Sequence, residues 1–497
     1  MPDWDVVVVG AGTAGSALAA RLADAGRRVL VLEAGAVPER PGDWPPEIRD
    51  ATSLAATAPG HPANWDLPAQ VLPGRDVRVP RGRIAGGSSA INAAVFVRAT
   101  PADLDGWAAT AAAPLWAAEQ VLPAFRRLEA DADLGDRPGH GADGPVPVRR
   151  LPSPSPLADA FAAASAELGV PREEDKNAGG PPGYGPIPFN VDRGGRRVNA
   201  AMAYLAPRRE LATLTVRGGV AVRRVLVEHG RAVGVLTDDG PVRAGEVVLS
   251  AGAVGSAQLL LASGIGPAAE LAAAGVDVVV DAPGVGAASS DHPLVYVPYR
   301  PAPGLAESPL PLHGVLHARP PGAGGEVELL PWLRPFGEDP EPMVSVALQH
   351  PVARGRLRLD PRDPAGPPRL EYRYLADPAD RAGLRAGVRF AVALLRTTAF
   401  AGTAGPSAAL PGPVLDDDAA LDRWIAERIG TAVHLSGTAP MGADADPAAV
   451  VDQHLRVRGV AGLRVVDTSV LPWVPGRGTS ATAVMLGERA AELLTSG

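Results

Sequence analysis

The run Val6-Val7-Val8-Val9 leads directly into Gly10-Ala11-Gly12-Thr13-Ala14-Gly15, and little else in the chain restricts its fold so tightly. A short β-branched run reads as a fully buried parallel strand. The segment Ser16 to Ala25 reads as a helix with Leu18 and Leu22 on one face, and Val29-Leu30-Val31-Leu32 as the next strand, ending at Glu33. This is a βαβ unit with a G-x-G-x-x-G turn and an acid about 20 residues on. Gly10 makes the tight turn, Gly12 lets a pyrophosphate approach, and Gly15 lets helix and strand pack; Ala11, Thr13 and Ala14 complete the phosphate-binding turn at the helix N-terminus. Glu33 can accept from a ribose hydroxyl, which favours FAD or NAD over NADP.

A second glycine turn, Arg83-Ile84-Ala85-Gly86-Gly87-Ser88-Ser89-Ala90-Ile91-Asn92, has the composition of backbone that comes close to a ligand and hydrogen-bonds it. Free N–H groups in such a turn form an anion-binding concavity. It reads as the other half of the cofactor site.

At 497 residues the chain is too long for one simple core, and two domains, possibly interleaved, are expected. Its 58 glycines and 53 prolines stay below the level where disorder is the default, and 46% apolar residues supply a core. A net charge of −8 with no basic run argues against nucleic acid. The absence of cysteine excludes disulfides, thiolate zinc sites and a cysteinyl–cofactor bond. The N-terminus opens into a strand without a basic, cleavable leader, and no apolar run reaches membrane-spanning length. The expectation is a soluble cytoplasmic protein with no transmembrane segment; peripheral membrane association stays open.

Further along, residues 36–80 read as irregular, with Asn64-Trp65-Asp66 at the surface. Residues 98–129 read as a loop anchored by Trp107 and Trp116, then a helix through Phe125. The stretches 171–187 and 300–325 read as surface segments. Leu214–Val222, Arg224–Glu228 and Ala232–Thr237 alternate like an antiparallel meander. Val247–Ser250 reads as a buried strand, followed by a glycine turn and a helix, Gln258–Ala262, with a glycine stop. Leu294–Tyr299, Val327–Trp332, Met343–Gln349 and Arg356–Asp360 read as an antiparallel sheet, flanked by helices Arg381–Arg396 and Ala419–Ile429. A final helix runs from Ala483 to Leu494.

Six motifs in this order resemble the glucose–methanol–choline (GMC) oxidoreductase family, with choline dehydrogenase-like members. They are the fingerprint through Glu33-Ala34-Gly35, the Gly86–Asn92 stretch, Ser250-Ala251-Gly252-Ala253 with Ser263–Pro267, and Pro283-Gly284-Val285-Gly286 with Asp291-His292-Pro293. His434…Gly437-Thr438…Met441-Gly442 and Val466-Asp467…Ser469…Pro472 complete the set. The C-terminal run looks most like mycofactocin-associated members. The resemblance implies an α/β fold, with a Rossmann-like FAD-binding domain (1–150, 196–290 and 431–497) interleaved with an α+β substrate-binding domain (151–195 and 291–430) built on an antiparallel sheet.

It also implies non-covalent FAD and oxidation of an alcohol by hydride transfer to flavin N5. Ile84, Gly87, Ser88, Asn92 to Val95, the backbone at Val222, Asp467 and Thr468 would touch FAD. His434 matches the family's catalytic histidine, and histidine suits the task because its pKa lies near operating pH. His292 reads as structural. His61, His140, His229, His313, His317, His350 and His454 show no spacing of metal ligands.

Two departures stand out. Where relatives carry a second active-site His or Asn, this chain has Ser480, which can hydrogen-bond a substrate hydroxyl but is a poor base; Arg477 could instead shape the site, or the match could slip by a residue or two. Where some relatives carry a flavin-linking histidine, it has Ile91. The expected partners are a small alcohol and an electron acceptor: a quinone, another carrier or oxygen. An alcohol oxidase, a non-redox member such as a hydroxynitrile lyase, and a catalytically silent flavoprotein are the rival readings.

Overall fold

The computed structural model describes residues 3–152, 154–305, 307–335 and 340–495. Trp4–Val9 forms a strand whose four valines are buried, as a strand covered on both faces requires. It lies parallel to Val29–Leu32 on one side and to Gly240–Leu249 on the other, with Val7 opposite both Leu30 and Val247. Leu214–Arg217 extends the parallel sheet beyond Val29–Leu32, and Leu463–Val465 extends it beyond Gly240–Leu249. The outer part of Gly240–Leu249 turns into an antiparallel meander with Arg231–Thr237 and Val222–Glu228.

Leu214–Val222 is therefore not one strand of the meander. Leu214–Arg217 pairs in parallel at the far edge, the chain breaks at Gly218-Gly219, and a new strand starts at Val222. A period-2 pattern states which residues face in; it carries nothing about the partner strand.

The second large sheet is antiparallel. Pro293–Pro301, Met343–Leu348, Val327–Pro331 and Gly314–Ala318 lie side by side, with Tyr184–Pro186 and Ala404–Pro406 at its two edges. One face is covered by the helices Pro378–Leu395 and Pro156–Glu167; Phe161 meets Tyr299 edge-on at 5.7 Å. On the other face Tyr296, Leu330 and Trp332 pack towards Ala94 and Phe189. That face and the segment following Asn92 enclose the site.

Several local expectations change. Residues 36–80 contain a hairpin, Leu67–Leu72 with Arg75–Val79, turning at Gly74 (φ 77°). Arg356–Arg358 and Arg369–Glu371 join that hairpin, so the strand expected at 356–360 leaves the second large sheet. The stretch before Trp107 is a helix, Pro101–Thr110, opened by a capping box between Thr100 and Asp103. The segments expected at the surface hold buried Lys176, Asn177 and Tyr184 and the wholly buried strand Gly314–Ala318; their prolines and glycines obscured the periodicity. The last helix starts earlier than expected, at Ser480, and packs on the first helix, Thr13–Asp24.

Candidate active site

The two glycine turns of the sequence meet in space. Gly10 ends its strand at φ 104°, where a Cβ would lie 2.5 Å from the Ser250 carbonyl oxygen. The helix Thr13–Asp24 begins after Gly12 with no side-chain cap and no acid in its first turn. Gly86 donates its N–H to the Ala11 carbonyl over 2.8 Å. A Cβ on Gly87, at φ 53°, would lie 2.8 Å from the Gly12 Cα. Backbone thus crosses backbone beside an uncapped helix start, the donor set that holds a phosphate. This arrangement fits the pyrophosphate of a dinucleotide.

Glu33 is buried at the end of its strand. One carboxylate oxygen accepts from the Ala11 N–H (3.0 Å) and the other from the Gly35 N–H (2.8 Å), while burial pushes its pKa up. The acid expected to hold a ribose also ties together the turn that holds the phosphate. The Glu33 carbonyl accepts from Val220, which brings Val222 alongside. Ile84 is buried and bridges to Ala36. Ser88 is exposed, its hydroxyl accepting from Gly82.

Asn92 accepts from the Ala94 N–H and from Arg197, whose buried guanidinium also gathers the carbonyls of Ile48, Asp50 and Ser53. Val95 bridges to Phe189. Asp467 spends its carboxylate internally: one oxygen accepts from Gly252 and Ser256, the other from Ser469. Only its backbone is left for a cofactor. Thr468 donates its hydroxyl to the Leu435 carbonyl, which joins the two C-terminal motifs.

His434 follows Val433, a β-branched residue held at φ 66°. Such a conformation costs of order 1–3 kcal/mol and persists where surrounding contacts enforce it. Arg81 donates to the Val433 carbonyl (2.8 Å), and the Val433 N–H donates to the Thr431 hydroxyl (2.9 Å). Asp291 accepts from the backbone N–H of both His292 and His434 and from the Thr431 hydroxyl.

Nδ1 of His434 lies 3.0 Å from Nδ1 of His292, and Nε2 of His292 lies 2.8 Å from the Pro475 carbonyl oxygen. A carbonyl only accepts, so Nε2 of His292 carries a proton. Burial holds the pKa of His292 well below its usual value, so the ring is neutral and its Nδ1 is bare. His434 must then donate from Nδ1, which leaves a lone pair on Nε2. Burial first, and the charge of Arg81 second, push the pKa of His434 down to about 4, so that lone pair is present at neutral pH. Nε2 faces Gly478, where a Cβ would lie 3.8 Å away, two residues before half-buried Ser480.

His292, read from sequence as structural, thus bonds directly to the candidate base. Asp291, Pro475 and Arg81 were not singled out for this role. The only sequence signal was that Asp291 and His292 adjoin, because their partners lie more than 100 residues away. Arg477 is spent on the Glu326 carboxylate and the Gly476 carbonyl. Among the described residues Glu129, Asp131 and His140 come close enough to share a cation. Arg98 and Arg150 already supply that charge, and hydrogen bonds that the His140 ring donates to Asp131, Asp175 and Glu129 raise its pKa to about 10, so it is itself a cation.

Residues 4–294 and 351–487 match the two family models described as GMC oxidoreductase. The chain is 39% identical to an uncharacterized GMC-type oxidoreductase of Rhodococcus erythropolis, with 99% of this chain and 98% of that one covered. It is 34% identical to the oxygen-dependent choline dehydrogenase of Vibrio vulnificus, with 99% and 94% covered. Among solved structures, pyridoxine 4-oxidase from Mesorbium loti superposes with a TM-score of 0.89 at 31% identity, covering 99% of each chain.

Proposed function

The chain belongs to the GMC oxidoreductase family, whose members are FAD flavoproteins acting on alcohol-like substrates, and on that premise we propose that it is an FAD-dependent alcohol dehydrogenase oxidising a CH–OH group. The observation that carries this reading is the bare Nε2 of His434, fixed by the chain from its Nδ1 through His292 to the Pro475 carbonyl. Bound FAD would supply the hydride acceptor at N5. His434 takes the hydroxyl proton at Nε2 while its Nδ1–H stays on His292. The new imidazolium gains from the lone pair of His292 and from nearby Asp291. The position facing that edge of the ring is Gly478, which offers no side chain; in this reading Ser480, two residues on at the start of the last helix, would reach the substrate oxygen from there.

Gly10 to Gly15, Glu33, Ile84, Gly87, Ser88, Asn92 to Val95, Val222, Asp467 and Thr468 form the cofactor site in this reading. The cofactor domain comprises 1–150, 196–290 and 431–497. Ile91 is buried and carries no nucleophile, so the flavin is held without a covalent bond, and acid precipitation should leave it in the supernatant.

The test is anaerobic mixing of the FAD-loaded protein with a panel of primary alcohols while flavin absorbance is followed. Bleaching that reverses quickly with a quinone and slowly in air is the expected result. Quick recovery in air would make the enzyme an oxidase. No bleaching with any alcohol would overturn the oxidation reading.

A further inference from the structure

On the site-facing side of the antiparallel sheet, His317, Glu328, Ala347 and Leu294 form one row across four strands. Directly paired residues point to the same face, and the row ends at Leu294, two residues along the chain from His292 of the His292–His434 pair. Two residues further along each strand lie Val315, Leu330, Ser345 and Tyr296. Two further again, Trp332 lines a small apolar opening with Ala51, Leu54, Ala93 and Leu312. Along the strand from that opening the sheet face changes from apolar to charged, over about 13 Å between Trp332 and Glu328 at about 3.3 Å per residue.

Among the described residues no lysine or arginine bonds to Glu328. Lys176 is paired with Glu173 and the Gly183 carbonyl. Arg477 is paired with Glu326 and the Gly476 carbonyl. Those cations already have carboxylates of their own, and neither bonds to Glu328. One oxygen of Glu328 accepts from Nε2 of fully buried His317 at 3.0 Å; no described residue donates to the other, and 12% of the side chain stays open. Burial raises its pKa to about 7, although the charges of Arg477 and Lys176 nearby act to lower it.

Taking the alcohol-oxidising role of His434 as given, we propose that Glu328, oriented by His317, binds a protonated amine on the substrate, so that the enzyme selects amino alcohols. A single open carboxylate oxygen calls for an N–H donor; a quaternary ammonium offers none. The row sets that amine two strands from Leu294, about 10 Å across the sheet, a span that a short amino alcohol bridges to the His434 side, and directs apolar parts of the substrate past Leu330 and Tyr296.

The experiment compares 5-aminopentan-1-ol with hexan-1-ol, which differ by NH₂ against CH₃, and with choline as a cation lacking N–H. Half-maximal anaerobic flavin reduction should need at least about tenfold less of the amine than of hexan-1-ol. The Glu328→Gln protein should bring the ratio near one, and choline should gain nothing over hexan-1-ol. A second readout is binding, followed as the rise in melting temperature of the FAD-loaded protein. If the amine raises it, Glu328→Gln abolishes the rise and no alcohol bleaches the flavin, the amine site stands and the oxidation reading falls. Equal response to the amine and hexan-1-ol in wild type overturns the proposal, as does a preference that survives in Glu328→Gln. If that variant loses its flavin, the wild-type ratio decides, together with His317→Asn, which keeps the acid but frees it and should weaken the preference.

Discussion

Removing the His434 ring should show how much of the chemistry rests on Nε2. His434→Ala should slow anaerobic flavin reduction about 10²–10⁴-fold with FAD still bound, the usual cost of a positioned base. Because burial pushes its pKa down to about 4, the wild-type reduction rate should stay flat between pH 6 and 8. A rate that halves near pH 6.5 would mean that the working base is an ordinary, solvated histidine. Glu33 presents a different case. It bonds two backbone N–H groups inside the fold, so Glu33→Ala should lower the melting temperature of the apoprotein as well as weaken FAD binding about ten- to a hundredfold. An unaltered apoprotein melting temperature would show that those internal bonds contribute nothing.

The crossing of the two glycine turns is a property of elements rather than of residues. Gly87 sits at φ 53° with the Gly12 Cα in the way of any Cβ. Gly87→Ala should cost about 1–2 kcal/mol for the left-handed backbone alone and should also push the second turn off the first. The expected outcome is protein purified with much less flavin per chain, read from the ratio of flavin to protein absorbance. Gly60→Ala is the control: its φ is 77° but nothing lies within 4 Å of its Cβ position, so it should cost stability while keeping the flavin. Equal flavin content in both variants would rule out the close crossing as the reason for glycine at 87.

For the molecule as a whole, buried histidines set the pH range of stability. His434 is held down to about 4, and His292 and His317 well below their usual values, each chiefly by burial. An unfolded histidine titrates near 6.5. Below that pH the unfolded chain takes up protons that the fold refuses, so stability present above about 6.5 is lost as pH falls towards 4. His140 has the opposite sign. Its pKa is raised to about 10 by Asp131, Asp175 and Glu129, so its contribution is complete below about 6.5 and disappears as pH rises through 10. Melting temperatures should fall from pH 7 to 5. Between pH 7 and 10 the wild type should lose more stability than His140→Gln; parallel curves would show that His140 is not held charged. No described helix is long and apolar enough to cross a membrane.

What could be read from the sequence was whatever local chemistry dictates. Val6–Val9, the glycine turn and Glu33 specify a phosphate-binding βαβ unit because each step depends on neighbours within one turn of chain. The resemblance carried by six ordered motifs extended that reading to the GMC fold and to His434. Prolines and glycines hid the hairpin at 67–79 and the strand at 314–318, since their burial depends on strands distant in the chain, at 369–371 for the first and at 184–186 for the second. Which nitrogen of His434 is free could not be read, because the answer lies with a carbonyl at 475 and a ring at 292. The two roles found for Glu33, and the open oxygen of Glu328, likewise follow from distances between distant segments. A side chain's protonation and tautomer depend on what surrounds it in space, and only the packed chain decides that.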